Sequence, residues 1–211
     1  MTTRRHLLIS ATALGAATAL PALAQAVDRP NPMPDDLRRA LERDATAPVL
    51  GNPDGNITLT EFFDYNCEFC RGMVGTVQQL ISSDPQLRVV YREWPVFGEG
   101  SEFAARASLA SLRQEKYWAF HAALMAMKDR AAEASVMRVA RQIGLDTTRL
   151  RADMDRPEVG EHIEGSIRLA DHMGLMGTPS FIAGDEGVFG KMSLTEMQDL
   201  VARARKTLGV G

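Results

Sequence analysis

The 211-residue chain has only two cysteines, and they stand together in the run Glu61-Phe-Phe-Asp-Tyr-Asn-Cys67-Glu-Phe-Cys70. A thiol at the start of a helix is made acidic by unpaired backbone N–H groups and the helix dipole. A second thiol one turn on can attack a mixed disulfide and release its partner. The pair therefore reads as a redox site, with Cys67 accessible and acidic and Cys70 buried and inert. Two bland uses compete. A structural bridge across so short a loop removes little unfolded-state entropy. A copper- or other metal-binding thiol protein would use the pair with soft donors such as Met125, Met127, Met173 and Met176. A closed zinc site needs about four ligands, and no second C-x-x-C or nearby H-x-x-x-H supplies them. No metal or cofactor is assigned, and the metal carrier remains the alternative.

Redox chemistry of this kind needs a strand to end, and a helix to begin, at the first cysteine. Ile57–Phe63 reads as that strand. Cys67–Ser83 reads as the helix, with Phe69, Met73, Val77 and Leu80 on one stripe. Leu87–Trp94 is a second strand, stopped by Pro95. Together they make a βαβ unit with parallel strands, and the cysteines lie past the carboxyl end of the first strand, where open α/β sheets place their sites. Ile57, Leu59, Glu61 and Phe63 share one face of that strand. Glu61 thus sits among apolar neighbours, and its pKa should be raised.

The flanking chain completes the pattern. Pro34–Asp44 makes a short helix, and Gly51-Asn-Pro-Asp-Gly55 is a turn. Helical periodicity or start signals mark Ser101–Gln114, Tyr117–Met127, Ala134–Ile143, Asp146–Asp155 and Glu158–Met173. Gly177-Thr178-Pro179 forms a turn, followed by a hairpin of Ser180–Ala183 and Val188–Gly190. A last helix starts at Ser193, with Glu196 completing a capping box. His121, His162 and His172 fall on predicted helices and read as surface or boundary residues.

In this order, Glu61-Phe-Phe-Asp-Tyr-Asn-Cys-Glu-Phe-Cys, Tyr91-Arg-Glu-Trp-Pro and Gly177-Thr-Pro-Ser-Phe181 resemble the DsbA-like thiol-disulfide oxidoreductases of the bacterial periplasm. The resemblance covers nearly all of residues 47–207, and the branch it resembles most holds the suppressor-of-copper-sensitivity and BdbD-type proteins. It implies an α/β thioredoxin fold (βαβ…ββα) with a helical subdomain inserted at about 101–173. It implies that Cys67 is the nucleophile, Cys70 the resolving thiol and Pro179 a cis-proline facing them, with Thr178 beside it in a substrate cradle. Glu61 has the spacing of the family's buried acid, which assists proton transfer at the resolving thiol. The implied partners are exported client proteins with thiols or disulfides, and a membrane redox partner. From the residues alone, Pro179 lacks an N–H and leaves the backbone before it free to pair with an extended substrate. An ordinary trans turn proline satisfies the sequence equally. The departure is Glu68-Phe69, where the family's best-known oxidant has Pro-His. The charge of Glu68 disfavours a neighbouring thiolate, so a milder oxidant, leaning towards isomerase or reductase work, is expected. Related enzymes acting on glutathione or small aromatic substrates commonly have serine in place of the cysteine pair, and Cys70 has no role in them.

Residues 1–24 read as an export signal: Arg4-Arg5, an apolar stretch Leu7–Leu23 too short and mild for a permanent span, then Ala22-Leu23-Ala24 as the cleavage pattern. Twin-arginine and ordinary secretory routes both fit, and either places the protein in the periplasm, where disulfides form. Residues 25–46 make an arm with one short helix, too short for an oligomerisation stalk, so a monomer is expected. Without the two leader arginines, 22 basic residues face 27 acidic ones, a balance that speaks against nucleic acid. Terminal sequencing of the exported protein should find a start within a few residues of Gln25. An intact Met1 on soluble, released protein would contradict the signal reading.

Overall fold

The computed structural model describes residues 32–211; the signal, and the arm up to residue 31, lie outside the described residues. In chain order the elements are α1 (Asp35–Glu42), β1 (Val49–Gly51), β2 (Ile57–Phe63), α2 (Glu68–Ser83), β3 (Leu87–Glu93), α3 (Glu99–Ala110), α4 (Tyr117–Met125), α5 (Glu133–Gln142), α6 (Thr147–Met154), α7 (Pro157–His172), β4 (Ser180–Ala183), β5 (Glu186–Phe189) and α8 (Leu194–Leu208). A 3-10 turn, Ser111–Gln114, follows α3. Every residue of β2 and of β3 is buried, as expected of strands covered on both faces. The two run parallel in the register Ile57↔Leu87 to Phe63↔Glu93. β4 pairs antiparallel with β2 on its other side, and the sheet order is β1-β3-β2-β4-β5. This is a thioredoxin fold, with five helices between β3 and β4.

Side-chain alternation splits the core into two. Ile57, Leu59 and Phe63 pack with Met73, Val77 and Leu80 of α2 and Met197, Leu200 and Val201 of α8. The same cluster takes in Ala104 and Ala107 of α3 and Phe120 and Leu124 of α4, so the helical block and the cysteine-bearing helix share one core. Phe62, on the opposite face, packs with Leu41 of α1, Ala170 of α7, Trp94 and Ile182. The close approach of α3 to the segment before α5 requires glycine: a Cβ on Gly100 would lie 2.1 Å from the Ala131 carbonyl oxygen.

The structure differs from the sequence expectation in several places: Phe69, expected on the apolar stripe of α2, is exposed, and β5 starts at Glu186 rather than Val188. Val49–Gly51 pairs antiparallel with β3 (Val49↔Val90) as a short edge strand just ahead of the turn. A three-residue strand is too short to show alternation. The helix expected over Ser101–Gln114 starts at Glu99 and tightens to 3-10 after Ala110, ending at Glu115 with φ 57°. His121 and His162 are buried, while His172 is exposed. Their ring stacking and hydrogen bonds carry no signature in helical periodicity.

Arg92 shows what such burial demands. Its side chain, fully buried on the α1 face, reaches Asp44 Oδ2 at 2.6 Å and the Leu41 carbonyl at 3.0 Å, and also bonds the Ala40 carbonyl. One guanidinium thus satisfies the carboxyl end of α1 and fixes the arm to the sheet. Arg92→Leu keeps most of the volume but removes these donors. We expect a loss of about 3 kcal/mol in urea unfolding; a loss under about 0.5 kcal/mol would mean that the arm is held by packing alone.

Candidate active site

β2 ends at Phe63, and the three residues before Cys67 are each tied down. Asp64, itself buried, accepts from the Asn66 N–H (2.6 Å) and Ser101 Oγ (2.7 Å) on one oxygen. Its other oxygen accepts from the N–H groups of Val96 (2.7 Å) and Phe97 (3.1 Å). The Asn66 amide donates to Ala131 O (3.2 Å) and accepts from Ala131 N (2.7 Å). Arg71 donates to the carbonyls of Tyr65 (3.0 Å), Met127 (2.9 Å) and Asp129 (3.1 Å). The loop that delivers Cys67 is thereby sewn to the helical block. The sequence reading assigned no role to Asp64, Asn66 or Arg71; the first two lie in the run before Cys67, and Arg71 directly follows Cys70.

Cys67 is the N-cap of α2, and its Sγ accepts from the Cys70 N–H at 3.2 Å. The Cys67 thiol donates to the Thr178 carbonyl at 3.3 Å. The Thr178–Pro179 peptide is cis. The structure therefore brings Cys67, Cys70, Thr178 and Pro179 together. Both thiols are free, the reduced state. The Cys67 pKa is lowered to about 6, first by the hydrogen bond from the Cys70 thiol, then, against the cost of burial, by the Thr178 side chain and the Cys70 and Phe69 N–H groups. Cys70 moves the opposite way: burial pushes its thiol far up, and its bond to Cys67 and the charges of Cys67 and Glu61 add to the rise. One expectation is corrected. Cys67 is activated but hardly accessible, with 3% of its surface exposed against 0% for Cys70, because the Thr178 carbonyl lies directly on the sulfur.

Glu61 lies on the central strand, between Tyr91 of β3 and Phe181 of β4, and is buried. Its pKa is raised to about 8, by burial first and by the Cys67 charge second. A second buried acid, Glu93, lies two residues beyond Tyr91 on the same face. Its Oε1 accepts from Tyr117 (2.9 Å) and Tyr65 (3.3 Å). Of the methionines weighed as metal donors, Met125 belongs to the core cluster that also holds both cysteines, Met173 packs on the opposite face of the sheet, and Met176 is exposed. Among the described residues, no group of three or more His, Cys, Asp or Glu side chains could hold a metal ion. Nor is any helix there long and apolar enough to cross a membrane.

Comparison with known proteins adds relatives to this geometry. The family model described as the DSBA-like thioredoxin domain matches residues 58–202. A crystal structure of a thioredoxin-like oxidoreductase from Silicibacter pomeroyi DSS-3 is 54% identical, with a TM-score of 0.79, covering 80% of this chain and 98% of that one. The thiol-disulfide exchange protein alpha-DsbA2 of Wolbachia pipientis is 27% identical, with a TM-score of 0.74, covering 80% and 91%. Disulfide bond formation protein D of Bacillus subtilis is 23% identical over 171 residues, 75% of this chain and 77% of that protein. The chain also matches Na(+)/H(+) antiporters, 27% identical over 159 residues in Salinispora tropica, and spans only about a quarter of their length.

Burial gives Glu61 a distinct pH signature. Its pKa rises from 4.5 unfolded to about 8 folded, so between those values folding takes up a proton and stability falls as pH rises. Glu61→Gln removes that uptake. In urea unfolding of the reduced protein, the variant should gain stability relative to wild type steadily from about pH 5 to pH 8. A difference that stays constant over that window would show that Glu61 is ionised throughout.

Proposed function

The chain belongs to the family of DSBA-like thioredoxin domains, and on that premise we propose that it is a periplasmic enzyme that exchanges disulfides with exported proteins through Cys67 and Cys70. The observation that carries this reading is the opposite displacement of the two thiols, one stabilised as a thiolate at a helix start and the other held protonated behind it. In the reducing direction the Cys67 thiolate attacks a client disulfide, forms a mixed disulfide and expels one client thiolate. Cys70 then gives up its proton, for which the Glu61 carboxylate is the buried acceptor. Its sulfur attacks Cys67 Sγ and expels the second client thiolate. Two electrons pass to the client, and a Cys67–Cys70 disulfide remains. The reverse sequence oxidises a client dithiol. The Thr178 carbonyl and Pro179 form the cradle on which an extended client segment lies beside Cys67.

Whatever stabilises the Cys67 thiolate favours the reduced enzyme and makes it an oxidant. Glu68, exposed in the first turn of α2, opposes this, so we place the protein as a mild oxidase with isomerase or reductase leaning. A membrane redox partner resets it. Cys67→Ser should abolish exchange with glutathione and with insulin, whereas Cys70→Ser should accumulate mixed disulfides through Cys67, visible on non-reducing gels. Equal loss without trapping in both variants would refute the assigned roles. Glu68→Pro combined with Phe69→His should lower the Cys67 pKa by absorbance titration and shift the glutathione equilibrium towards the reduced enzyme. A shift in the other direction would overturn the electrostatic ranking.

A further inference from the structure

The exchange mechanism makes no use of Glu93, although it lies in the Tyr91-Arg-Glu-Trp-Pro run and is the most enclosed acid near the site, with 1% of its surface exposed. Its Oε1 is the meeting point of three parts of the fold. Tyr65, two residues before Cys67, lies 3.3 Å away. The Tyr65 hydroxyl also meets Ser108 Oγ of α3 (2.6 Å) and His121 Nδ1 of α4 (3.1 Å). Tyr117, from the start of α4, donates to the same Oε1 at 2.9 Å. The Glu93 backbone N–H is bonded to His162 Nε2 of α7 at 3.2 Å. We infer that Glu93 is a positioning residue for the exchange reaction: through the Tyr65 and Tyr117 hydroxyls it locks the loop carrying Cys67 to the helical subdomain, and it does so as an uncharged acid.

The charge state follows from what surrounds the carboxyl. Its hydrogen-bond partners among the described residues are all uncharged. The titratable groups around it are Glu61 from β2, Tyr91 from β3, Asp64 and Tyr65 from the loop, and Tyr117 and His121 from α4, with His162 of α7 at its backbone. Burial takes both imidazoles to about 3, so neither supplies a cation. Burial pushes Glu93 well above the carboxylate range, and the hydroxyls of Tyr117, Tyr65 and Ser108 restore only part. Oε2 is buried without a hydrogen-bond partner, which an ionised oxygen would tolerate least. An uncharged lock also adds no negative charge beside the Cys67 thiolate and Glu61. The Tyr65 ring packs edge-on against Phe63, 5.2 Å between centroids, so removing its hydroxyl loosens the lock without emptying the core.

The inference rests on the exchange activity proposed above, and the test separates the two. Wild type, Tyr65→Phe, Glu93→Leu and Glu93→Gln are compared by Cys67 thiolate titration and by equilibrium with glutathione. Tyr65→Phe and Glu93→Leu should raise the Cys67 pKa and shift the equilibrium towards the disulfide form by about three- to tenfold, the range of one net hydrogen bond. The double variant should be no worse than the more affected single one, because both break one network. Glu93→Gln, whose amide oxygen still accepts from both phenols, should restore wild-type values. An ionised Glu93 would instead give a lower Cys67 pKa in Glu93→Gln, and that result overturns the inference. So does a Tyr65→Phe protein with wild-type titration and equilibrium. If Glu93→Leu fails to fold, Tyr65→Phe and Glu93→Gln still decide. Infrared spectra at neutral pH provide an independent reading: Glu61→Gln should retain a protonated-carboxyl band that Glu61→Gln/Glu93→Gln lacks, and its absence from Glu61→Gln contradicts the uncharged lock. An inert wild type would defeat the exchange reading, whereas an active wild type with a silent Tyr65→Phe defeats only the role of Glu93.

Discussion

The hydrogen bond from the Cys70 N–H to Cys67 Sγ is the constraint around which this molecule is arranged. A sulfur can cap a helix only if the chain enters the helix at a fixed angle, and a capping sulfur is better as an anion than as a thiol. Entry angle is therefore catalytic geometry. It is set by β2, which ends four residues earlier between two hydrogen-bonded neighbours. It is also set by the clamps of Asp64, Asn66 and Arg71, which join the connecting loop to the helical block. The inserted helices thus serve as the outer wall of the redox loop, and the shared apolar core behind both cysteines follows from that role.

This arrangement carries an energetic cost, which falls on the seam between sheet and helical block. Tyr65, Glu93, Ser108, Tyr117 and His121 are all buried there. A polar group in such a place is tolerated only when it is hydrogen-bonded, and four of the five share the Tyr65 hydroxyl. Around them the aromatic rings pack edge to face or stacked: Phe63 at 5.0 Å and Trp118 at 5.4 Å from the His121 ring. The seam is specified by direction as well as by apolar area, so it fixes one docking of the helical block on the sheet. The other face of the sheet solves the same problem with charge, through Arg92 and Asp44.

The fold was legible because its signals are local. The alternation of Ile57, Leu59 and Phe63 in β2, the stripe of Met73, Val77 and Leu80, the Ser193–Glu196 capping box and the turn glycines each belong to one stretch of chain. The boundaries of β2 came out unchanged, and the capping box is present at the start of α8. β1 was missed because a three-residue edge strand is defined by its partner, β3, and by nothing within itself. His121 and His162 were misplaced for a related reason. Helical periodicity puts a residue on a face, but whether that face meets solvent or a sheet is a tertiary fact. At the site, spacing pointed to the two cysteines and strand alternation to Glu61, while the roles of Thr178 and Pro179 came from the family resemblance. None of these could reveal that the Thr178 carbonyl would sit on the sulfur and cover it, nor that Glu93, thirty-two residues from Glu61, would share its sheet face.

That shared face shapes the chemistry of the resolving step. Glu61 owes its raised pKa to burial and, second, to the negative charge of Cys67. The second cause disappears whenever the Cys67 sulfur is in covalent bondage to a client, because a disulfide sulfur carries no charge. The acid then loses the repulsion that opposes its ionisation, and its pKa falls towards the value that burial alone would set. This happens at the one stage when Cys70 must surrender a proton. When the Cys67–Cys70 disulfide left by the resolving step is reduced and Cys67 is a thiolate again, the repulsion returns and Glu61 holds its proton. A fixed side chain is thus more readily ionised, and so available as a proton acceptor, in the mixed disulfide than in the reduced enzyme, with no conformational change, because the charge that controls it is made and unmade by the reaction itself. The device works only if no other buried acid on that face ionises in the same range, which is what an uncharged Glu93 provides.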